Sequence, residues 1–577
     1  MTITHALLGQ LDLYQSALPY IALSLIVWAT YLYAIKCGFV SDDHQGLGEY
    51  DGKFQGFEYG MISRWFRYHF VGGGNYPSKI KLPDGRTIPQ GKLPLRHHVF
   101  NIILLNIGVL LGYTFFSSLF GEKVAFITFA LFTVSPIGTQ CVAWISGIGY
   151  PLSIIWIFLI LNYVHTAEIG VVSFLVFIFL DIMAINALFV ALAIPAILIF
   201  LGHWQFAILS SIISLAMGLR IVRHTIKIRA DEFKKQDMGN LTKINPRRFI
   251  VAVKTVLYYI ELLLWPSKLG LYHEWGNQVT PDVSREDRRF FLGLLATIGL
   301  IAIAFLTPIM AIKLGILWFF AFIFIFLNWI TIQQFVTERY LWIPSIGFYL
   351  IVAHCLQGHE SLLYLIGGIL ICRTWLHLPT YDDELRFYLS NTWNYQNSET
   401  ALANLGCTWI RLGAVGSALD AWHASAKANP DYDVPYANIY FHHRAAAMLD
   451  VEHGNYENGI ERLKVAFQYI ESCCKCSVRH FKDDWDKERN TVAKWLENPL
   501  TLVVSEKKRL TTLQGDLLKR KIDPNEKDHV GLDQSLIHIS QRLQHIKQLL
   551  DNAPKDRIPS EDSVEPTTLT LPGQEKK

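Results

Sequence analysis

The length of its apolar runs restricts this chain more than any other feature. A helix that crosses a bilayer needs about 20 mostly apolar residues. Segments near 17–36, 99–119, 123–143, 150–166, 290–310, 313–332, 339–357 and 361–377 reach or approach that length. The apolar stretch 170–219 is broken near Asp181/Asn186 and Gly202/His203. Three short passes fit it better than two long ones, because His203 and Trp204 suit an interface and Asn186 sits badly in lipid. Lys254 and Glu261 mark 249–266 as an interfacial or re-entrant helix. These segments predict about eleven crossings, an odd number that puts the N-terminus and the C-terminal part on opposite sides. No cleavable signal peptide is expected, since the first apolar run is long enough to span.

Composition agrees. Of 577 residues, 51% are hydrophobic and only 18% charged, below the quarter usual in soluble chains. A plain soluble enzyme, a disordered scaffold and a disulfide-rich secreted domain are excluded. A net charge of +3 gives no reason to expect nucleic acid as a partner.

The composition changes after residue 378. In the window 399–432, Leu405, Gly406, Trp409, Ala418, Trp422 and Pro430 fall at the fixed offsets of a tetratricopeptide repeat. A degenerate second repeat follows, with Tyr436 and Ile439 in its first helix and Gly454 and Ala466 in its second. Residues 480–551 read as charged amphipathic helices able to cap the stack. The expected organisation is a membrane domain over 1–378, a helical repeat domain over 379–552 and a disordered tail over 553–577. The fold class is therefore all-α.

Four stretches could carry chemistry. Asp42-Asp43 lies just beyond the first span, where a carboxylate could act as general base on a hydroxyl; a solvated loop start is the plain alternative. The loop from there to residue 98 holds Arg64, Arg67, Lys79, Lys81, Arg86, Lys92 and Arg96, cations suited to phosphate. Its aromatics Tyr50, Phe54, Phe57, Tyr59, Trp65, Phe66 and Tyr68 are spaced like a surface-lying helix. His98 and Asn101 share a helix face, which is more often a packed pair than a site. Residues 135–147 form a Pro/Gly-broken helix with polar groups at the membrane edge. Glu338-Arg339-Tyr340 opens an apolar span, and ionisable residues there mark function by default. Cys473, Cys474 and Cys476 lack a second ligand pair at zinc spacing, so a disulfide is favoured over a metal.

Taken in order, these segments resemble the transmembrane and tetratricopeptide-repeat O-mannosyltransferases of the GT-C class. The residues are Phe39-Val40-Ser41-Asp42-Asp43, His98 with Asn101, the turn 135–143, Asn245-Pro246, Leu263-Leu264-Trp265-Pro266-Ser267-Lys268-Leu269, the motif 338–348, and Arg373 with Trp375. The set is collinear over 35–470. It departs where the family has two histidines and a glutamate, here Ser135, Gly138 and Gln140, and it lacks a Lys-Glu pair near Asn186.

The resemblance implies an inverting glycosyltransferase that moves a sugar from a polyprenyl-phosphate carrier to a protein Ser/Thr hydroxyl. Asp42, with Asp43 as alternative, is the expected base. Arg339, Arg96, Arg247 and Arg248 are expected at the donor phosphate, with the cluster that includes Arg220 and Arg223 behind them. His98, Asn101, Gln140, Glu338 and Tyr340 are expected around the sugar or acceptor, Glu338 orienting Arg339. The repeats would hold the acceptor protein. The protein would sit in a bacterial inner membrane or the endoplasmic reticulum, with the loop 37–98, the active site and the C-terminal domain extracytoplasmic. That placement overrides the positive-inside rule, which would put the basic loop 220–248 in the cytoplasm. No cofactor or metal ligand set is specified; a divalent cation, magnesium or manganese, stays open. The alternatives are transfer of a different lipid-linked sugar or glycan to a surface polymer, and a non-catalytic membrane scaffold whose repeats recruit partners.

Overall fold

The computed structural model describes residues 2–43, 65, 67, 69, 71, 79–81, 87–89, 94–235, 246–271, 273, 288–327, 336–453, 455–476, 479–522 and 529–560. They form two compact units, one of 1–78 with 91–398 and one of 79–90 with 399–577.

The described part of the first unit is helical. Its helices are α1 (Thr2–Tyr31), α2 (Leu95–Phe120), α3 (Glu122–Val134), α4 (Thr139–Ala143), α5 (Gly149–Thr166), α6 (Val171–Ala187) and α7 (Ile194–Phe200). They continue with α8 (Trp204–Lys235), α9 (Pro246–Leu264), α10 (Arg288–Leu306), α11 (Met310–Ile323), α12 (Glu338–Leu356), α13 (Glu360–His377) and α14 (Glu384–Asn394). Among the described residues, seven segments are long and apolar enough to cross a bilayer: 17–36, 95–120, 145–166, 204–221, 288–306, 338–356 and 360–381. An eighth arises if α3 and 136–143 count as one span bent by 56°. Shorter apolar helices cover 171–187, 191–200 and 310–326. Along α10, Phe291, Leu295, Ile298, Phe305 and Leu306 all face outward. So large an exposed apolar surface suits lipid and not water. The chain is built as a membrane protein.

In lipid, helices gain little from hiding apolar surface, so association relies on close packing and internal hydrogen bonds. Small residues provide the closeness. A Cβ on Gly347 would lie 2.2 Å from the Gly315 carbonyl oxygen, and one on Gly112 would strike the Phe129 ring. Around these contacts Phe116, Phe129, Phe158 and Trp318 form an aromatic core, with Phe158 and Trp318 stacked at 5.6 Å. Polar groups close across it: Trp318 Nε1 donates to Ile343 O at 2.9 Å and Asn162 Nδ2 to Leu111 O at 3.0 Å.

Contacts sort the helix ends into two sets. At one end, Gly38 N donates to Tyr381 O at 3.1 Å, His98 Nε2 bonds Cys37 O at 3.1 Å, and Gly149 abuts Ala187 O. At the other, Lys123 pairs with Glu360 at 2.6 Å, Tyr163 OH donates to Ser173 O, and His165 packs on His203. Within 170–219 the structure has three helices, broken at Leu188 and at Gly202, whose φ is +84°. Phe174 and Phe177 both meet Phe206, at 5.2 and 5.0 Å, and Asp181 faces Ser210 one turn further along. Helices α6 and α8 therefore run parallel, and α7 carries the chain back between them.

Three expectations change. Residues 379–398, assigned from sequence to the soluble domain, belong to the first unit. Asn394 Nδ2 donates to Leu269 O at 2.8 Å and Tyr395 OH to Lys268 O at 3.0 Å, which fixes them there. The span expected over 313–332 is helical only to Phe326, and 328–335 lie outside the described residues. The all-α assignment gains an exception inside the loop 37–98. Strands β1 (Lys79–Lys81) and β2 (Thr87–Pro89) pair antiparallel with Ile80 opposite Ile88, as β-branched residues allow. This hairpin groups with the second unit, so Lys79 and Lys81 do not belong to the first.

The rest of the second unit is α15 (Glu399–Arg411), α16 (Val415–Ala428), α17 (Asp433–Glu452), α18 (Tyr456–Cys476), α19 (Arg479–Glu497), α20 (Pro499–Ile522) and α21 (His529–Asn552). Trp422 lies over Gly406, where a Cβ would come within 2.4 Å, and its Nε1 donates to Ala403 O at 3.0 Å. That contact clamps α15 to α16. Gly454 lies outside the described residues, and the helix expected to contain it begins at Tyr456. Helices α19 to α21 do more than cap. Trp485, Trp495, Leu510 and Ile546 share one core with Tyr440, Leu463 and Ile470. The cysteines Cys473, Cys474 and Cys476 are free thiols, and no disulfide joins them. Of the tail 553–577, residues to 560 are described, with one short turn at Lys555–Arg557.

The packing predicts a contrast between two glycines. Gly347→Ala forces α12 off the α11 backbone and should cost about 1–3 kcal/mol, whereas Gly368→Ala meets nothing within 4 Å and should leave stability unchanged. Thermal unfolding of the two variants in detergent tests this.

Candidate functional site

The candidate site gathers around 135–148, where the chain cannot continue as one helix. Pro136 removes a backbone donor, and two short turns flank α4 before α5 begins. Freed polar groups at that break must find partners inside the protein, and they recruit four distant segments.

The loop after α1 comes first. Ser41 takes a left-handed φ of 54°, a conformation that costs a residue with a Cβ about 1–2 kcal/mol. Beyond this turn the two aspartates part. Asp42 is exposed and makes no hydrogen bond or ion pair among the described residues. Asp43 is fully buried: its Oδ1 accepts from Ser146 N at 2.7 Å and Ser146 Oγ at 2.6 Å, and its Oδ2 from Val40 N at 3.2 Å. The loop is held from behind by Asp382, which accepts from Tyr33 OH at 3.0 Å and Arg386 at 2.6 Å.

The start of α2 supplies His98 and Asn101, both buried. His98 holds Cys37 O, so it serves the loop. Asn101 Nδ2 donates to Val142 O at 3.2 Å, and its Oδ1 accepts from Arg67 at 3.0 Å. Arg67 is only 3% exposed. Burial lowers its pKa to about 10, with the nearby Asp43 charge opposing. The same burial pushes the Asp43 carboxyl up to about 6, against the hydrogen bonds from Ser146 and Val40 and the charge of Arg67.

The opening of α12 completes the group. Gln140 Oε1 accepts from Thr337 Oγ1 at 2.9 Å and from Arg339 N at 3.1 Å, which caps the helix end from outside. The Arg339 guanidinium lies over Trp144 at 5.5 Å and Tyr340 at 5.0 Å, favourable cation–π geometry. Tyr340 in turn stacks on Phe326 at 4.1 Å. Glu338 does not orient Arg339, contrary to expectation. Its Oε1 accepts from Gly270 N at 2.7 Å and pairs with His273 Nε2 at 3.1 Å. His273 Nδ1 bonds Tyr258 OH at 2.5 Å, and Tyr258 OH meets Tyr395 OH at 3.1 Å. Glu338 thus ties α12 to the 266–273 segment, which Arg373 also grips through Pro266 O and Ser267 O.

Of the residues expected from sequence, the structure brings together Asp43, Asn101, Gln140, Arg339 and Tyr340, with His98 holding the loop. Arg96 is exposed at the first turn of α2 and makes no ion pair among the described residues. Arg248 is buried within α9, which lowers its pKa. The Arg247 side chain lies outside the described residues, as do Arg64, Arg86, Lys92 and Asn245. Sequence reasoning did not single out Arg67, Trp144, Ser146, Thr337 and His273. Trp144, Ser146 and Thr337 lay inside motifs already noted; no local pattern distinguishes Arg67 from the other loop cations. Among the described residues no three His, Cys, Asp or Glu could together hold a metal ion, and the Asp43 oxygens are already engaged.

Compared with known proteins, the chain matches no family model, no curated protein and no solved structure.

The raised Asp43 pKa has a definite sign. The folded chain keeps this proton up to pH about 6, whereas an unfolded aspartate releases it near 3.8. The stability Asp43 contributes is full below pH about 3.8 and is lost as pH rises through about 6. Asp43→Asn should flatten that decline in a thermal-unfolding series from pH 4 to 7.

Proposed function

We propose that this protein is a membrane glycosyltransferase of GT-C type, taking a sugar from a polyprenyl-phosphate carrier to a Ser/Thr hydroxyl of a protein. The observation that carries this reading is the convergence on one broken turn of an exposed carboxylate, two buried arginines and a set of buried amide and indole donors. A general base, fixed cations and neutral donors are what transfer from a sugar phosphate demands. Asp42 takes the proton of the acceptor hydroxyl. The hydroxyl oxygen bonds to the anomeric carbon from the face opposite the phosphate. The carbon–oxygen bond to phosphate breaks, and polyprenyl phosphate leaves with the electron pair. Asp42 suits the base because it is exposed and unengaged among the described residues, while Asp43 is held by Ser146 and Val40. Arg339 and Arg67 face the leaving phosphate; Arg67 takes the part that sequence gave to Arg96. Gln140 Nε2 and Trp144 Nε1 are buried without hydrogen-bond partners among the described residues, which supports their use on substrate oxygens.

In this reading the membrane part crosses about eleven times. The sorting of helix ends and the return pass of α7 support that number. The loop after α1, the basic end of α8 and the end of the first unit then share the extracytoplasmic side. Helices α15 to α18 act as tetratricopeptide-type hairpins that hold the acceptor, a role supported by the Trp422–Gly406 clamp.

Transfer from polyprenyl-phosphate mannose, with polyprenyl-phosphate glucose as second donor, to Ser/Thr peptides tests the chemistry. Asp42→Asn should lower the rate by about 10²–10⁴ while donor binding survives. Arg339→Lys should weaken donor binding, since Lys cannot make the bidentate contact. Unchanged transfer in both Asp42→Asn and Asp43→Asn removes the base from the mechanism.

Sidedness has its own test. Ser398 is only 1% exposed, so a cysteine belongs at the exposed Gln396, with Cys355 and Cys372 replaced by alanine. Gln396→Cys should react with a membrane-impermeant maleimide on the extracytoplasmic face of intact cells or right-side-out vesicles. Labelling only after permeabilisation reverses the assignment.

A further inference from the structure

One ionisable group lies far from the site and takes no part in it. Asp181 sits in the middle of α6, an apolar helix otherwise free of charge. It is fully buried, no cation pairs with it among the described residues, and neither carboxyl oxygen makes a hydrogen bond of ordinary geometry there. Across from it on α8 is Ser210, also fully buried, its hydroxyl likewise without a bond of ordinary geometry. Ser214, one turn on along the same face of α8, has a buried hydroxyl oxygen in the same condition.

Among the described residues, the elements packed on α6 offer no countercharge. On α5 the one titratable imidazole is His165, which faces His203 at the far end of the bundle. His203, just before α8, lies seven residues before Ser210 and Arg220, on α8, ten after it, roughly 10 and 15 Å along the axis. The short turn Phe189–Ala193 carries no ionisable residue. An anionic carboxylate in hydrocarbon without a cation is strongly disfavoured, and the group facing it, the Ser210 hydroxyl, can donate a hydrogen bond but brings no charge. One proton on the carboxyl cancels the charge, and the resulting acid can donate to Ser210 Oγ.

We propose that Asp181 and Ser210 form an intramembrane proton-binding site, with the Asp181 carboxylic acid donating to Ser210 Oγ at neutral pH. Loss of the proton places a bare charge in the α6–α8 seam. The end of α6 rests on the first residue of α5, where a Cβ on Gly149 would lie 2.8 Å from Ala187 O. A shift of α6 therefore reaches the start of the helix that leaves the broken turn. The inference is independent of the reaction proposed for that turn.

Infrared difference spectra between the full chain and Asp181→Asn in lipid nanodiscs test it. The expected result at pH 7 is a protonated-carboxyl C=O band in the wild type that is missing in the variant. That band should be the same in sodium and choline chloride. Absence of the band at pH 7 overturns the proposal. So does its disappearance in sodium alone, which would make the seam a sodium site. If Asp181→Asn does not fold, dicyclohexylcarbodiimide on the wild type replaces it, because this apolar reagent adds to protonated carboxyls within membranes. A mass increment on the peptide carrying Asp181 supports the proton; an unmodified peptide overturns it.

Discussion

The bond pair made by Gln140, accepting from the Arg339 amide and the Thr337 hydroxyl, is the interaction on which the site depends. It lies inside a lipid-embedded bundle, where a freed backbone group has no water to turn to. The break at Pro136 makes such groups unavoidable. Everything brought to 135–148 answers that need: Asn101 covers Val142 O, Asp43 covers Ser146, and Gln140 caps the first turn of α12. The candidate site and the solution of this hydrogen-bonding problem are here the same set of side chains.

The replacements at the turn make sense in these terms. Gly138 has no room for a side chain, since a Cβ would meet Tyr31 OH at 2.6 Å and Trp342 Nε1 at 2.7 Å. Ser135 Oγ accepts from Tyr349 OH at 2.8 Å, which ties the turn to α12 one level below Gln140. Histidines are not simply missing from these positions. At Gly138 the space a side chain would fill is already taken by Tyr31 and Trp342.

The two adjacent aspartates show how local geometry divides roles that composition leaves equal. One left-handed residue at Ser41 turns Asp42 outward and Asp43 inward. Burial and three donated hydrogen bonds then make Asp43 part of the frame. The same separation occurs at Glu338 and Arg339. The carboxylate is drawn to His273 and Gly270, and the guanidinium is left over two aromatic faces. Adjacent opposite charges did not pair because each had a better partner in the tertiary structure.

The sequence by itself determined what local chemistry controls. Apolar run length determined where the helices are and that they belong in lipid. The breaks near Asp181/Asn186 and Gly202/His203 determined three helices over 170–219. Small residues at fixed offsets determined the Trp422–Gly406 hairpin. Proline and glycine determined that 135–147 would be broken. Only the tertiary structure decided what depends on pairing across long separations. It selected Arg67 from a run of similar loop cations, because burial beside Asn101 and Asp43 cannot be seen in neighbouring residues. It gave Glu338 to His273, 65 positions away in sequence. It also kept 379–398 with the membrane unit, through hydrogen bonds to Lys268 and Leu269. Periodicity reports which face of a helix is apolar; which polar groups meet inside depends on how the helices pack.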